Sequence, residues 1–201
     1  MMKFLYWIEP KGFCDVDREW YEFIWRKREC PGCFTMYADQ RTQPVDVVVE
    51  GRPSRAVTSY ARGPMIGLIR NDFLKLLGEE AQRWLHIGRV FDSKTRLIRE
   101  WSTFIGERPI EIRGGPDSYG RLCEECGRYL YTEGEDPKLM HIHRASLSDQ
   151  PIYEANAAAL LLTPGLYERI RGKKWKGVWI TRLPVYDGPL DGIDPFPENY
   201  Y

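Results

Sequence analysis

The chain has 201 residues, with seven Trp, twelve Tyr and eight Phe among them. This length suits one domain or two small ones, and so many aromatic residues exclude disorder as the main state. The 29 basic residues balance the 29 acidic ones, which excludes a strongly basic nucleic-acid scaffold and leaves only a local basic patch open.

The sequence shows neither a membrane segment nor an export signal. Its apolar runs are far shorter than the ~20 residues that a bilayer span needs. The first ten residues lack the apolar region and the small-residue cleavage site of a signal peptide. We therefore expect a cytoplasmic protein that does not bind membranes.

The N-terminal half begins with a predicted buried strand at residues 2–8, which are apolar or aromatic almost throughout. Residues 15–29 mix aromatic and charged side chains and predict either a strand or a short helix. The β-branched residues 45–49 and the apolar residues 65–69 each predict a further strand.

A helix follows these strands in the predicted order. Asn71 or Asp72 caps it, and apolar residues recur at mostly helical spacing from Phe73 to Leu85. Residues 87–91 then predict the next strand.

The C-terminal half repeats this order. Residues 158–162 predict a strand, Thr163 and Pro164 the start of a helix, and Gly172 its end. Residues 177–183 predict the next strand. The two strand–helix–strand units indicate a weak internal duplication, although such short patterns also recur by coincidence.

Four of the five cysteines form two Cys-x-x-Cys pairs, Cys30 with Cys33 and Cys123 with Cys126. An odd cysteine count in a cytoplasmic protein argues against a disulfide framework. Two intervening residues allow a tight turn to point both sulfurs at one ion, so two such knuckles predict a tetrahedral four-thiolate zinc site. Because 89 residues separate the pairs, the fold has to bring them together.

Two other interpretations of the cysteines remain open. The chain could have lost the metal and kept four half-buried thiols. Alternatively, Cys30 and Cys33 could form a redox-active dithiol, which requires a lowered thiol pKa at the start of a helix. The residues after Cys33 are not typical of a helix start, and two pairs suit a metal better than one redox couple.

The cysteine motifs carry a resemblance to a known family. The segment Cys123-Glu-Glu-Cys-Gly127 has the full Cys-x-x-Cys-Gly pattern, whereas Phe34 stands at the Gly position after the first pair. With these motifs, the chain resembles the double-CxxCG motif family of myxobacterial paralogues, which includes immunity proteins of a swarm-inhibition toxin system. The resemblance extends to residues 151–154, 158–163, 166–170 and 176–180.

The resemblance implies an immunity protein that binds a cognate protein toxin inside the producing cell and neutralises it. The sequence carries none of the common phosphate-loop, dinucleotide-binding, metalloprotease or nucleophile-elbow motifs, so we expect no enzyme. The alternative is a zinc-stabilised nucleic-acid-binding or regulatory protein, although the absence of net charge disfavours nucleic acid as a partner.

Several other residues have two possible interpretations, one functional and one purely structural. His141 and His143 would lie on the same face of a strand. They could bind a metal together, or they could be ordinary residues of that strand. Cys14 is a candidate nucleophile only with a histidine beside it, and is more often a buried thiol. The basic residues 169–176 suit either phosphates or the solvated end of a helix. The acidic residues 186–201 suit either a toxin contact or an extended tail.

These observations together predict one α+β domain over residues 1–201. We expect a mixed or antiparallel sheet and two main helices. The zinc knuckles at residues 30–33 and 123–126 would clamp distant segments together. The expected metal ligands are Cys30, Cys33, Cys123 and Cys126, and no catalytic residue is expected.

Overall fold

A computed structural model of the chain describes residues 2–34, 36–53, 56–106, 109–110, 112–113, 121–126, 129–130, 140–155 and 158–187. The predicted tail is therefore described only at residues 186 and 187. No helix within the described segments is long and apolar enough to cross a membrane.

Strands dominate the described residues, with three α-helices between them. The helices are α1 (Arg18–Trp20), α2 (Asn71–Gln82) and α3 (Pro164–Tyr167). The strands are β1 (Phe4–Pro10), β2 (Phe13–Val16), β3 (Val47–Glu50), β4 (Thr58–Arg62), β5 (Ile66–Arg70), β6 (Leu85–Asp92), β7 (Leu97–Gly106), β8 (Ile112–Arg113), β9 (Arg121–Leu122), β10 (Tyr129–Leu130), β11 (His141–His143), β12 (Ile152–Ala155), β13 (Ala159–Leu162) and β14 (Val178–Tyr186).

The N-terminal half forms a closed barrel in the order β2-β3-β6-β7-β5-β4. Most pairs are antiparallel, but β2 with β4 and β3 with β6 are parallel. Alternate residues of a strand face opposite sides of a sheet. In β3, Val47 and Val49 are accordingly buried inside the barrel, whereas Val48 is partly exposed.

The C-terminal half forms a six-stranded sheet in the order β12-β13-β1-β14-β11-β8. The N-terminal strand β1 lies between β13 and β14, antiparallel to both. A parallel bridge between Ile110 and Ala155 joins the two ends of this sheet, where the Ile110 amide donates to the Glu154 carbonyl at 2.8 Å. The fold is thus a mixed α+β arrangement, as predicted.

A cluster of buried side chains joins the two sheets. It combines α2 and α3 with outward-facing residues of both sheets. Phe73 and Leu77 of α2 pack in it with Leu166, beside Ile8 of β1 and Leu160 of β13. Since burying apolar surface is worth about 25 cal/mol per Å², this seam contributes to holding the halves together.

The helices differ from the prediction in two respects. Helix α2 begins at Asn71, with Arg70 in the flanking position, and the Asp72 carboxylate accepts from the Phe73 amide at 2.8 Å. Gly78, with φ 84° and ψ 165°, interrupts it, and Leu85 already belongs to β6. Glycine takes this backbone conformation without a steric penalty.

The second predicted helix is only one turn long, so the prediction of two main helices is wrong here. Its start is confirmed, since Thr163 caps α3 by accepting from the Leu166 amide at 3.4 Å and Pro164 holds the first position. Gly172 has φ 83°, which agrees with the predicted end of the segment.

Candidate metal centre

The first knuckle lies between β2 and β3. After α1 the chain makes one turn of π-helix, Tyr21–Trp25, and reaches Cys30. An antiparallel bridge between Glu29 and Met36 brackets the knuckle. The Phe34 amide donates to the Cys30 carbonyl at 2.7 Å and closes the turn. Cys30 is fully buried, and Cys33 is half-buried.

Phe34 occupies the position at which the double-CxxCG family, which the chain resembles, has glycine. Its φ is 56°, in the left-handed region, and its side chain is 60% exposed. The knuckle therefore has the backbone shape that glycine favours, although a phenylalanine stands there. A residue with a Cβ loses about 1–2 kcal/mol in this conformation.

The second knuckle connects β9 and β10, which pair antiparallel through Leu122 and Tyr129. Cys123 is buried, whereas Cys126 is exposed. Gly127, which completes the motif, lies outside the described residues. Each knuckle is thus flanked by antiparallel pairing, as a tight turn requires.

The fold brings all four cysteines into one cluster. The sulfurs of Cys30 and Cys123 are 3.6 Å apart, and those of Cys33 and Cys126 are 3.8 Å apart. All four sulfurs lie within 4.8 Å of one another. A tetrahedral ion with metal–sulfur bonds of about 2.3 Å places its ligands about 3.8 Å apart, whereas a disulfide needs about 2.05 Å. The cluster therefore fits one tetrahedral metal ion.

Gly32 lets the two knuckles approach each other. A Cβ on this residue would lie 2.7 Å from Cγ of Glu125 and 3.1 Å from Sγ of Cys123. The first distance is shorter than a real Cβ contact allows. To admit a Cβ here, the Glu125 side chain would have to rotate away and the Cys123 sulfur would have to shift by a few tenths of an ångström.

Hydrogen bonds to sulfur prepare one cysteine for metal binding. The Cys126 amide donates to the Cys123 sulfur and, with the Glu125 amide and the Cys30 thiol, lowers the pKa of Cys123 from 9.0 to about 7. A thiolate is the form that binds metals. Partial burial and the nearby Cys30 sulfur raise the pKa of the Tyr37 phenol.

A buried carboxylate that was not predicted from the sequence supports the first knuckle. Glu29 is 4% exposed and accepts from the Tyr21 hydroxyl and the Trp25 indole, each at 2.8 Å. These bonds tie the residue before Cys30 to the π-helical turn. The four-residue spacing of Trp25 and Glu29 was the only signal for this contact, and it is common on any helical surface.

The fifth cysteine stands apart from the cluster. Cys14 lies in β2, is 5% exposed, and its thiol donates to the Glu50 carbonyl at 3.5 Å. Burial, together with the charges of Asp15 and Glu50, raises the pKa of Cys14 to about 11. The thiol is therefore protonated near neutral pH, which makes it a poor nucleophile.

His141 and His143 are buried in β11 rather than gathered at the cysteine cluster. Both rings lie at a steep angle to Tyr186, with centroids 5.5 Å and 6.2 Å from it. The Ala145 amide donates to Nδ1 of His143 at 3.1 Å. These contacts fit packing residues of a strand, which was the ordinary interpretation.

The basic segment after α3 also has structural contacts. Trp175, the aromatic residue in it, packs edge-on against Phe73 at 4.8 Å and donates to the Ile170 carbonyl. Arg169 and Arg171 form ion pairs with Glu80 and Glu168. The interpretation as a helix end therefore fits better than that of a phosphate site.

The chemistry of the cluster is that of a closed site. An ion held by four thiolates has no position left for water or substrate, so it stabilises structure rather than catalysing a reaction.

Neither a protein-family model nor a curated protein matches this chain.

Proposed function

We propose that this protein is an immunity protein that binds a cognate protein toxin in the cytoplasm and neutralises it, with one structural zinc ion held by Cys30, Cys33, Cys123 and Cys126. The convergence of two distant Cys-x-x-Cys motifs on one four-sulfur cluster carries the proposal. This is the arrangement that the resemblance to the double-CxxCG family leads one to expect. In mechanism, stoichiometric binding would cover or distort the active site of the toxin.

The chemistry of the cluster and the surface support the proposal. A metal ion held by four thiolates stabilises the fold rather than catalysing a reaction. This suits a protein that acts by binding. Large apolar side chains are exposed, including Phe23 at 66% and Trp179 at 52%. Aromatic side chains of this kind are frequent anchors of protein interfaces.

Zinc suits this ligand set and would add a large share of the stability. Structural zinc sites contribute about 10–16 kcal/mol in zinc-finger peptides, whereas whole domains are stable by about 5–15 kcal/mol. Loss of the ion would therefore loosen both knuckles and the segments that they join.

The test of function is protection in one strain. The chain is co-expressed with the toxin candidate encoded beside it, and survival and co-purification are scored. We expect survival with a one-to-one complex. Survival without a complex would replace binding by enzymatic reversal of damage or target masking, and loss of protection would remove the immunity function. A Cys14→Ser variant, outside the cluster, serves as the matched control for a Cys123→Ser variant.

We also propose that the two sheets are copies of one unit, each supplying one knuckle. The orders β4-β5-β7-β6-β3-β2 and β12-β13-β1-β14-β11-β8 match strand for strand. In each, the fourth and fifth strands are parallel and the other neighbours antiparallel. In each, a parallel contact joins the two ends.

The registers support this duplication. Val49 pairs with Asp92 in the barrel, and Ile142 pairs with Val185 in the second sheet, both 93 residues further along. The paired cysteines are also 93 residues apart. A constant offset through strands and knuckles is hard to obtain from unrelated units.

The N-terminal strand then corresponds to the last strand of the barrel. Thr103 of β7 pairs with Leu68 and Gly88. Trp7 of β1 pairs with Leu161 and Thr181, which lie 93 positions after Leu68 and Gly88. The second copy would thus take its last strand from the start of the chain.

A circular permutant tests this correspondence. Residue 201 is linked to residue 1, and the chain is opened between Lys11 and Gly12, so that β1 follows β14 in the chain as β7 follows β6. We expect wild-type zinc content and stability. A permutant opened between Tyr6 and Trp7, inside β1, is the control and should lose both. Equal loss in the two permutants would contradict the correspondence.

A further inference from the structure

A basic cleft lies at one end of the barrel. Its cavity volume is about 730 Å³, and the hairpin that connects β6 to β7 forms one wall. The chain that follows β3, with Arg52 and Pro53, forms the other wall, and Arg70 lies at the end of β5 between them.

The cleft carries an excess of positive charge in a chain without net charge. Its charged lining residues are five cations and two carboxylates: Arg52, Arg70, Lys94, Arg96, Arg99, Asp92 and Glu100. Arg70 pairs with Asp72, and Arg96 pairs with Asp92. The side chains of the other three cations make no ion pair or hydrogen bond with a residue that the structure describes.

The hairpin wall is held in a fixed shape. The Asp92 carboxylate accepts from the amides of Lys94 and Arg96, at 3.0 Å and 2.9 Å. The Thr95 amide donates to the Asp92 carbonyl at 2.8 Å. These bonds organise the tip without using the Lys94 ammonium group, so its charge stays available at the rim.

The second sheet has no counterpart of this hairpin. In the second sheet, β14 and β1 occupy the positions of β6 and β7, but no turn connects them because β1 comes first in the chain. The charged hairpin is therefore a feature of the first half alone.

We propose that the cleft binds an acidic segment of a protein partner. If the proposed function is correct, this partner is the toxin, and the cleft is where a carboxylate-rich stretch of it docks. Arginine side chains suit carboxylates because their planar guanidinium groups can donate two parallel hydrogen bonds. Leu97, 47% exposed on the hairpin, offers an apolar contact beside the charges.

Nucleic acid is a poorer fit to the same charges. Single strands are bound by aromatic side chains on which the bases stack. The aromatic residue of this cleft, Trp101, is only 7% exposed. The start of α2 is no phosphate site either, because the carboxylate of Asp72 already accepts from the Phe73 amide there.

Fluorescence anisotropy with a labelled octaglutamate peptide tests the proposal without using a toxin. We expect binding that weakens between ~50 and ~200 mM salt, as screening of charge pairs requires. The triple variant Arg52→Ser, Lys94→Ser, Arg99→Ser should bind the peptide at least ~10-fold more weakly. Unchanged zinc content and melting temperature show that the variant is folded.

A matched control removes three exposed charges elsewhere, by Lys173→Ser, Lys174→Ser and Lys176→Ser, and should bind the peptide as the wild type does. Equal weakening in the control, no binding by the wild type, or tighter binding of a labelled octathymidylate would each overturn the proposal. Because no toxin takes part, failure here is distinguishable from failure of the immunity function. With a toxin in hand, the cleft variant should lower its association rate.

Discussion

At the scale of single residues, the first knuckle combines one position that suits its geometry and one that does not. Gly32 is placed where a Cβ would meet the second knuckle. Phe34 adopts a left-handed φ of 56° with an exposed side chain. The strain at Phe34 is tolerated because the bond from its amide to the Cys30 carbonyl closes the turn.

Replacing Phe34 by glycine should stabilise the protein. Glycine removes the left-handed penalty of about 1–2 kcal/mol, and its greater freedom in the unfolded chain offsets part of that gain. We expect the free energy of unfolding, measured in denaturant, to rise by up to ~1 kcal/mol. Phe34→Ala keeps the strain and is the control, so an equal gain in both variants would contradict this explanation.

Replacing Gly32 by alanine should weaken metal binding. The added methyl group would lie 2.7 Å from Cγ of Glu125 and 3.1 Å from Sγ of Cys123, so it would displace one of the metal ligands. We expect zinc affinity, measured by competition with a chelator, to fall at least ~10-fold, since ligand geometry sets affinity. Gly165→Ala, with open space around its Cβ position, should leave the affinity unchanged.

At the scale of elements, the interrupted helix α2 depends on the segment after α3. Beside the break at Gly78, the Leu77 carbonyl accepts a hydrogen bond from Arg169 at 2.7 Å. A Cβ on Gly78 would lie 2.7 Å from the same guanidinium. This arginine therefore holds together the two elements that form the seam between the sheets.

Replacing Arg169 by alanine should lower the free energy of unfolding by about 1–2 kcal/mol, because a partly buried carbonyl loses its donor. Among the described residues, Arg171 pairs with Glu168 on its own turn, so Arg171→Ala should cost less than ~0.5 kcal/mol. Chemical denaturation of both variants gives the comparison. Equal losses would show that the Leu77 contact contributes nothing specific.

The sequence predicts elements better than their arrangement, for physical reasons. Apolar and β-branched runs reveal strands such as β3 and β13, because burial alone dictates their composition. The break at Gly78 was not predicted, since an isolated glycine inside a helical pattern is usually tolerated. The cysteine spacing predicted the four-sulfur cluster. No local sequence feature predicted that β1 pairs with β13 and β14. Pairing between strands that are distant in the chain does not constrain the residues next to each strand in the sequence.

At the scale of the whole molecule, a buried ion pair links the first knuckle region to the second sheet. Arg41, 7% exposed, lies in the 3₁₀ turn that follows the knuckle and pairs with Glu154 of β12, which is 5% exposed. Arg41 also donates to the Gly106 carbonyl at 3.0 Å, and the Gly106 amide donates to Glu154 at 2.5 Å. The network satisfies both charges where the halves meet.

Replacing Glu154 by glutamine should lower the free energy of unfolding by about 3–5 kcal/mol, because Arg41 keeps a buried charge without its partner. Glu22→Gln is the control, since Glu22 pairs with Arg26 at the exposed surface and should cost less than ~0.5 kcal/mol. Denaturant unfolding measures both changes. A loss below 1 kcal/mol in the buried variant, roughly that of a surface pair, would contradict this role of the network.

The central claim is that both knuckles hold one metal ion. Metal content per chain, combined with X-ray absorption at the zinc edge, tests it most directly. The account predicts one zinc per chain with four sulfur neighbours at about 2.3 Å. Single serine variants of Cys30, Cys33, Cys123 and Cys126 should each lose zinc and melt at a lower temperature, while Cys14→Ser should retain both. Two ions per chain, nitrogen or oxygen ligands, or an undiminished melting temperature in a metal-free variant would contradict it.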